Sequence, residues 1–371
     1  MKKQLKRMCA AVCSAVLAAP IVFSGPAAAC TSFLLGTTDG GFVYGRTMEF
    51  SLPFQSQALV IPRNLAITGT GPTGEAGTGL PWTTRYGAVG LNGLGLPVLI
   101  DGMNEKGLAG GMLYLPGVAG FQEVAPGEAK TSIASFEMLT YVLTSFATVA
   151  EVKAALPKIK VNRAPQSVFK MPVPVHMTLH DASGASLVVE YVGGVLTLHD
   201  NPTTVLTNAP TFDWQIANLG QYVNLSPVEP KPIQVGGLTL GTPSTGGGLH
   251  GLPGDMLSPS RFVRAFLFTR NAPKAPNGAA GVTTAFHILN NFDIPPGAVV
   301  TSAGSAAGGG VSGYETTEWI VAADLKGGRY HFVIYDNPAR QVIDISRLDL
   351  DAKAMKSFPI DRTVPPLEIG R

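Results

Sequence analysis

Short apolar runs with a two-residue alternation, punctuated by Gly, Asn, Asp and Pro, dominate this chain. Residues 31–36 and 41–44 read as two strands joined by the turn Thr37-Thr38-Asp39-Gly40. Residues 98–100 and 107–115 form a second pair around the turn Asp101-Gly102-Met103-Asn104-Glu105-Lys106. A third pair, 176–179 with 186–191, brackets Asp181-Ala182-Ser183-Gly184, and Gly193-Gly194 leads into a strand at 195–199. Residues 316–324 and 330–335 make a last hairpin about Lys326-Gly327-Gly328. Helical spacing is confined to 131–146, 149–155, 258–269 and 283–291, the third opening on Ser258-Pro259 as cap and first turn. Gly246-Gly247-Gly248 and Gly308-Gly309-Gly310 mark loops, and no repeat or linker divides the sequence. The pattern predicts one α+β domain rich in antiparallel sheet over residues 30–371. Composition agrees: Gly (44) and Pro (29) favour strands and turns, and 45% hydrophobic against 14% charged residues allows a large core.

Residues 1–29 stand apart. Lys2, Lys3, Lys6 and Arg7 precede an apolar stretch, 10–23, and Ala27-Ala28-Ala29 closes the segment. A basic start, a short apolar middle and an Ala-x-Ala end describe a secretory signal peptide, so the mature protein is expected to be periplasmic or secreted. A retained anchor is the competing reading. The apolar run is short for a bilayer, however, and nothing later reaches about 18 uninterrupted apolar residues, so no stable membrane insertion is expected after cleavage. Cleavage after Ala29 also removes four cations, turning the formal charge of +2 into −2. The bulk electrostatic case for binding nucleic acid goes with them.

Two of the three cysteines, Cys9 and Cys13, lie in that segment. Cys30 is then the one thiol of the mature chain, without a partner for an internal disulfide, and it is also the first residue. A cysteine at a chain terminus carries its own base. The α-amine titrates at about 7.7–8.0 and the thiol at about 8.5, so proton exchange between them costs about 1 kcal/mol or less. No catalytic histidine is needed, and His176, His180, His199, His250, His287 and His331 show no metal-ligand spacing. The competing readings of Cys30 are a small packed residue and the acylated first residue of a lipoprotein. The second expects a Leu-like residue where Ala27 stands.

Five segments carry a wider likeness. They are Cys30-Thr31-Ser32-Phe33 with Gly45-Arg46-Thr47-Met48-Glu49; Asp101-Gly102-Met103-Asn104-Glu105-Lys106-Gly107-Leu108; Thr207-Asn208-Ala209-Pro210-Thr211-Phe212-Asp213-Trp214; Leu252-Pro253-Gly254-Asp255 with Ser258-Pro259-Ser260-Arg261-Phe262; and Thr317-Glu318-Trp319 with Tyr335-Asp336-Asn337. In this order they resemble the choloylglycine hydrolase and penicillin V acylase family of N-terminal-nucleophile (Ntn) hydrolases. The resemblance implies an αββα sandwich, two antiparallel sheets flanked by helices, with Cys30 exposed by autocatalysis or by signal peptidase.

It also implies roles. Arg46 would lie beside the nucleophile, where a fixed cation favours thiolate; on its own it reads as a solvated edge charge. Glu49 stands where much of the family has Asp holding the α-amine, and its alternative is a pair with Arg46. Asn208 and the backbone of Tyr114 would hold the oxyanion, although Asn208 before Ala209-Pro210 also suits a turn. Arg261 would stabilise the charged nucleophile, with Arg264 one turn along as its substitute. The implied cycle is attack by sulfur, expulsion of the amine and hydrolysis of an acyl-thioester, without metal or organic cofactor.

For the substrate, a small-molecule N-acyl amide, the sequence suggests an apolar acyl pocket with Phe50, Leu52, Phe54, Trp82 and Leu115 as wall residues. The signal peptide resembles those of the exported penicillin V acylase branch of diderm bacteria. That implies phenoxyacetyl amides and long-chain N-acyl-homoserine lactones ahead of conjugated bile salts. The alternative of another class is a non-catalytic periplasmic binding protein or lipoprotein. Family members are often tetramers, so a homotetramer is compatible with the resemblance, but no segment of the sequence sets an assembly state.

Overall fold

The computed structural model describes residues 29–304, 312–363 and 369–370. The signal segment apart from Ala29, and Gly308-Gly309-Gly310, fall outside them. Two antiparallel sheets face each other. The first contains β1 (Cys30–Gly36), β2 (Phe42–Phe50), β11 (Gly313–Asp324), β12 (Arg329–Ile334) and β13 (Asn337–Asp344) in that order, with the short β10 (Val299–Thr301) paired to β11. The second contains β3 (Ala58–Ile61), β4 (Ala88–Asn92), β5 (Leu99–Asn104), β6 (Ala109–Tyr114), β7 (Val175–His180), β8 (Ser186–Val192), β9 (Val195–Asp200) and β14 (Lys356–Phe358). Its order is β9-β8-β7-β6-β5-β4-β3-β14. Helices α4 (Ser258–Asn271) and α5 (Gly278–Leu289) cover the outer face of the first sheet, and α1 (Met138–Ser145) packs on β5 and β6 of the second. The fold is the αββα sandwich of Ntn hydrolases. Among the described residues no helix is long and apolar enough to cross a membrane.

Alternation along β2 positions the chemistry. With a period of two, Tyr44, Arg46, Met48 and Phe50 share one face, and Val43, Gly45, Thr47 and Glu49 share the other. The first set points into the space between the sheets, where the Tyr44 hydroxyl and Arg46 both reach Asp101. The second set faces the helices, and a Cβ on Gly45 would lie 2.9 Å from the Phe33 ring and 3.2 Å from Leu289. Cys30 pairs with Met48 and therefore joins the inter-sheet set. On β11 the register slips between Thr317 and Trp319. This bulge lets Thr317 stay with Glu49 while Trp319 turns inward beneath Arg46, whose guanidinium lies 5.2 Å from the indole centroid.

Several sequence expectations are corrected. Asp101 to Asn104 is strand, not turn. The reversal comes at Glu105 to Gly107, where Gly107 has φ of +80° and Asn104 Oδ1 accepts from the Lys106 and Leu108 amides. The 131–146 helix is only α1; before it run a three-residue strand, Ser132–Ala134, and a 3-10 turn, Ser135–Glu137. The buried Glu137 carboxylate holds this irregular stretch by accepting from the amides of Ala134 and Thr70. Helix α5 starts at Gly278, earlier than its apolar spacing suggests, because Asn277 caps it through Ala280 N–H. A helix missed in the sequence, α3 (Phe212–Leu219), follows the Asn208 loop. By contrast α2 (Val149–Ala155) has the expected bounds, capped by Thr148.

Candidate active site

The elements converge on Cys30, which is buried between the sheets. Its Sγ lies 3.6 Å from Arg46 Nη2 and 3.7 Å from Met48 Sδ. Arg46 cannot wander. Nη1 donates to the Ile100 carbonyl (2.8 Å) and pairs with Asp101 Oδ2 (3.2 Å), and Nη2 donates to the Met112 carbonyl (2.6 Å). Asp101 in turn accepts from the hydroxyls of Tyr44 and Tyr330, each at 2.6 Å. Burial works against the Arg46 charge, but Cys30 and Asp101 outweigh it, and its pKa lies above the ordinary arginine value. The cluster needs a bare backbone opposite: a Cβ on Gly111 would sit 2.4 Å from Arg46 Nη1 and 2.6 Å from Asp101 Oδ2.

On the other side of Cys30 stands Asn208. Its Oδ1 accepts from Cys30 N–H (2.6 Å) and from Arg261 Nη2 (2.8 Å), and its Nδ2 donates to the Tyr114 carbonyl (2.8 Å). Two cationic or N–H donors on one side and a carbonyl on the other fix which way the amide points. One Nδ2 proton is used by Tyr114, and the described hydrogen bonds leave the second for a ligand oxygen. Arg261, near the start of α4, also donates to the Cys30 carbonyl, to Thr31 Oγ1 (2.9 Å) and to the Met256 carbonyl (3.0 Å). Arg264 is not its substitute. It donates instead to the carbonyls of Pro253 and Asp255, both at 2.7 Å.

The Asn208 loop is braced by residues the sequence did not single out for this purpose. His176 on β7 bonds the Thr207 carbonyl through Nε2 (2.7 Å) and Glu190 through Nδ1 (3.0 Å). Glu190 Oε1 also accepts from the Phe212 amide (3.0 Å), and Thr207 Oγ1 meets Ser258 Oγ at the head of α4 (2.9 Å). His180 is packed in the core, held neutral by burial with its pKa pushed down to about 3.

Glu49 does not take up its alternative pair, since Arg46 pairs with Asp101. Its Oε1 accepts from Thr317 Oγ1 at 3.4 Å, its Oε2 is buried without a partner, and burial raises its pKa well above the usual carboxylate range. The Glu49 amide donates to the Ala29 carbonyl, directly before Cys30.

A narrow cavity of about 60 Å³ opens from Cys30, walled by Met48, Phe50, Phe54, Ile100, Met112 and Phe169 among others, with Gln166 and Tyr114 adding polar atoms. Burial pushes the Tyr114 phenol up to about 12, so it stays neutral. Phe50 and Phe54 are wall residues as expected. Trp82 lines a neighbouring hollow that shares Leu96, Val98, Phe136 and Gln166 with this one, and its indole N–H donates to Thr144. Leu115 is not on the wall: one residue past Tyr114 the strand has turned its side chain into the core. Leu52 is partly buried against the core.

With the geometry in place, comparison with known proteins is decisive. Residues 30–358 match the family described as linear amide C–N hydrolases, choloylglycine hydrolase family. The chain belongs to that family. A curated bile salt hydrolase/transferase of Clostridium perfringens is 32% identical over 337 residues, covering 90% of this chain and 98% of the relative. A solved conjugated bile acid hydrolase from the same organism superposes with a TM-score of 0.80 at 30% identity, covering 92% and 100% of the two chains. Penicillin V acylase from Agrobacterium tumefaciens gives 0.71 at 27% identity, covering 89% and 91%. As a member of the choloylglycine hydrolase family the chain is a linear amide C–N hydrolase acting on small-molecule amides, which stands against a binding-only scaffold.

Proposed function

We propose that Cys30, freed as the N-terminal residue by removal of residues 1–29 during export to the periplasm or medium, is the nucleophile of this hydrolase. The observation that carries the reading is the position of its sulfur, against the immobilised Arg46 guanidinium and at the inner end of the apolar cavity. The α-amine takes the thiol proton and the thiolate attacks the amide carbonyl. Asn208 Nδ2 and the Tyr114 backbone N–H stabilise the oxyanion. The ammonium returns its proton to the leaving nitrogen. The same amine then activates water, which splits the thioester to carboxylate and thiol.

The cavity supports an apolar acyl group. Its walls are mostly aromatic and aliphatic, and among the described residues no charged side chain lines it. A phenoxyacetyl or long fatty-acyl amide leaves no polar group stranded there, whereas a hydroxylated steroid acyl group brings hydroxyls that need partners. N-acyl-homoserine lactones and penicillin V are therefore preferred, and conjugated bile salts, which the 32% identical relative's name indicates for that protein, are the second reading.

Amine release from penicillin V, a long-chain N-acyl-homoserine lactone and glycocholate, followed in parallel with the purified mature protein, tests this. The expected order places both apolar-acyl substrates above glycocholate in kcat/KM. Glycocholate ahead of both would reverse the assignment, and indifference to homoserine lactones of every chain length would remove acyl-amide signals as substrates. In the same assay Asn208→Ala is expected to lower kcat by about 10²–10³-fold with a smaller change in KM, the scale for loss of one oxyanion donor. An unchanged kcat would assign Asn208 to the turn alone.

A further inference from the structure

One buried polar group near Cys30 has no part in the cycle above. Glu315 lies on β11 before the bulge, on the face shared with Thr317 and Glu49. Its Oε1 accepts the backbone N–H of Ala29, and its Oε2 is buried with no partner among the described residues. Glu49, from β2, likewise has one buried oxygen without a partner. No cation sits within salt-bridge distance of either carboxylate among the described residues. Arg261, the nearby guanidinium on α4, is committed to Cys30, Thr31, Asn208 and Met256. Two buried acids short of donors are costly unless a later donor completes them.

Removal of Ala29 supplies such a donor. It takes away the N–H that Glu315 holds, empties the buried space that Ala29 fills, and turns the adjacent Cys30 nitrogen from a peptide group with one proton into an ammonium with three. Asn208 Oδ1 already accepts one of these protons. The Glu315 oxygen that Ala29 releases and the unpartnered oxygen of Glu49 can take the other two. We propose that Glu315 is a positioning residue for the α-amine of Cys30, holding it together with Glu49 and Asn208 in the mature enzyme. This rests on the reading of Cys30 as the mature N-terminus.

The consequence is a pH effect with a defined sign. The charged groups about the amine are Glu49, Arg46 and the Cys30 thiol from the first sheet, Arg261 from α4, Asp255 from the loop before it, and Glu315 from β11. The arginines favour a neutral amine and the carboxylates favour ammonium. Burial raises the pKa of both Glu49 and Glu315, and the Arg261 charge nearby only partly offsets it. Neutralising Glu315 therefore lowers the amine pKa, and the amine is competent as a base at a lower pH.

The test uses full-length protein exported and purified as the wild type, Glu315→Gln and Glu315→Asp, each with its N-terminus read by mass spectrometry. Expected for Glu315→Gln are a mature chain beginning at Cys30, a kcat about tenfold lower with KM little changed, and an acid limb of kcat/KM about one unit lower in pH. Glu315→Asp, which keeps the charge, should hold the acid limb at its wild-type position. An active Glu315→Gln enzyme beginning at Cys30 with wild-type kcat and acid limb overturns the proposal. So does slowed removal of residue 29 with a wild-type pH profile once mature, since that confines Glu315 to seating Ala29. If Glu315→Gln does not fold, Glu315→Asp decides: an acid limb displaced despite the retained charge overturns the proposal. A wild-type enzyme that is active but begins at another residue overturns the Cys30 reading itself, and this one with it.

Discussion

Cys30→Ala is expected to abolish hydrolysis of every amide the wild type takes, by about 10⁶-fold in kcat, the scale at which removal of a nucleophile acts. The fold should survive. Sγ touches Met48 Sδ and Arg46 Nη2 at the edge of a cavity, so its loss extends a space that already exists rather than opening one in close-packed core. Cys30→Ser should also be inactive although it keeps the side chain's shape. An amine with a pKa near 8 can take a proton from a thiol at about 8.5, but a hydroxyl holds its proton far more tightly. Melting curves within a few degrees of the wild type, with no product formed, are the expected pair of observations. Substantial turnover by Cys30→Ala would show that the chemistry lies elsewhere.

The second large effect is expected at Asp101. Asp101→Ala removes the carboxylate that neutralises Arg46 and accepts from two buried hydroxyls, Tyr44 and Tyr330. Breaking one side of a buried pair costs about 3–5 kcal/mol because the remaining charge stays uncompensated. The stranded hydroxyls add to this, though not additively. A fall in Tm of roughly 4–7 °C follows for a domain of this size, at about 2.1 cal/mol/K of unfolding entropy per residue. Activity falls as well, since Arg46 loses the anchor that holds its other nitrogen against Cys30 Sγ. Asp101→Asn keeps an acceptor for the tyrosines and is expected to lose less stability. Calorimetry on the two variants checks this, and Asp101→Ala with a wild-type Tm would mean the cluster contributes nothing net.

The same cluster shows why part of the site was legible in the sequence and part was not. The hairpin about Thr37-Thr38-Asp39-Gly40 was legible, but its strands read as 31–36 and 41–44 and stop short of Cys30 and Arg46, which the resemblance supplied; the Ser258-Pro259 start placed Arg261 near the head of a helix. Asp101-Gly102-Met103-Asn104, however, has the composition of a turn. It is strand because both polar side chains find partners inside: Asp101 across the sheets, and Asn104 at the Leu143 and Phe146 carbonyls. Local composition cannot report partners more than 30 residues away. The apolar spacing over 131–146 likewise continues through a strand and a 3-10 turn because all three pieces face the same core. Glu315 left no local signal, for its closeness to Glu49 depends on a pairing of distant strands and on a one-residue bulge. His176 likewise gives no local signal, since its hold on the Thr207 carbonyl depends on a loop 31 residues further along.

Chemistry at the terminal thiol of Cys30 leaves a covalent trace, which mass spectrometry of the exported protein, mixed with substrate and quenched within one turnover, detects. Expected is an N-terminal peptide that begins at Cys30 and carries one substrate-derived acyl group on sulfur, lost as hydrolysis completes. An active protein whose N-terminus lies elsewhere, or whose Cys30 is never acylated during turnover, would contradict it.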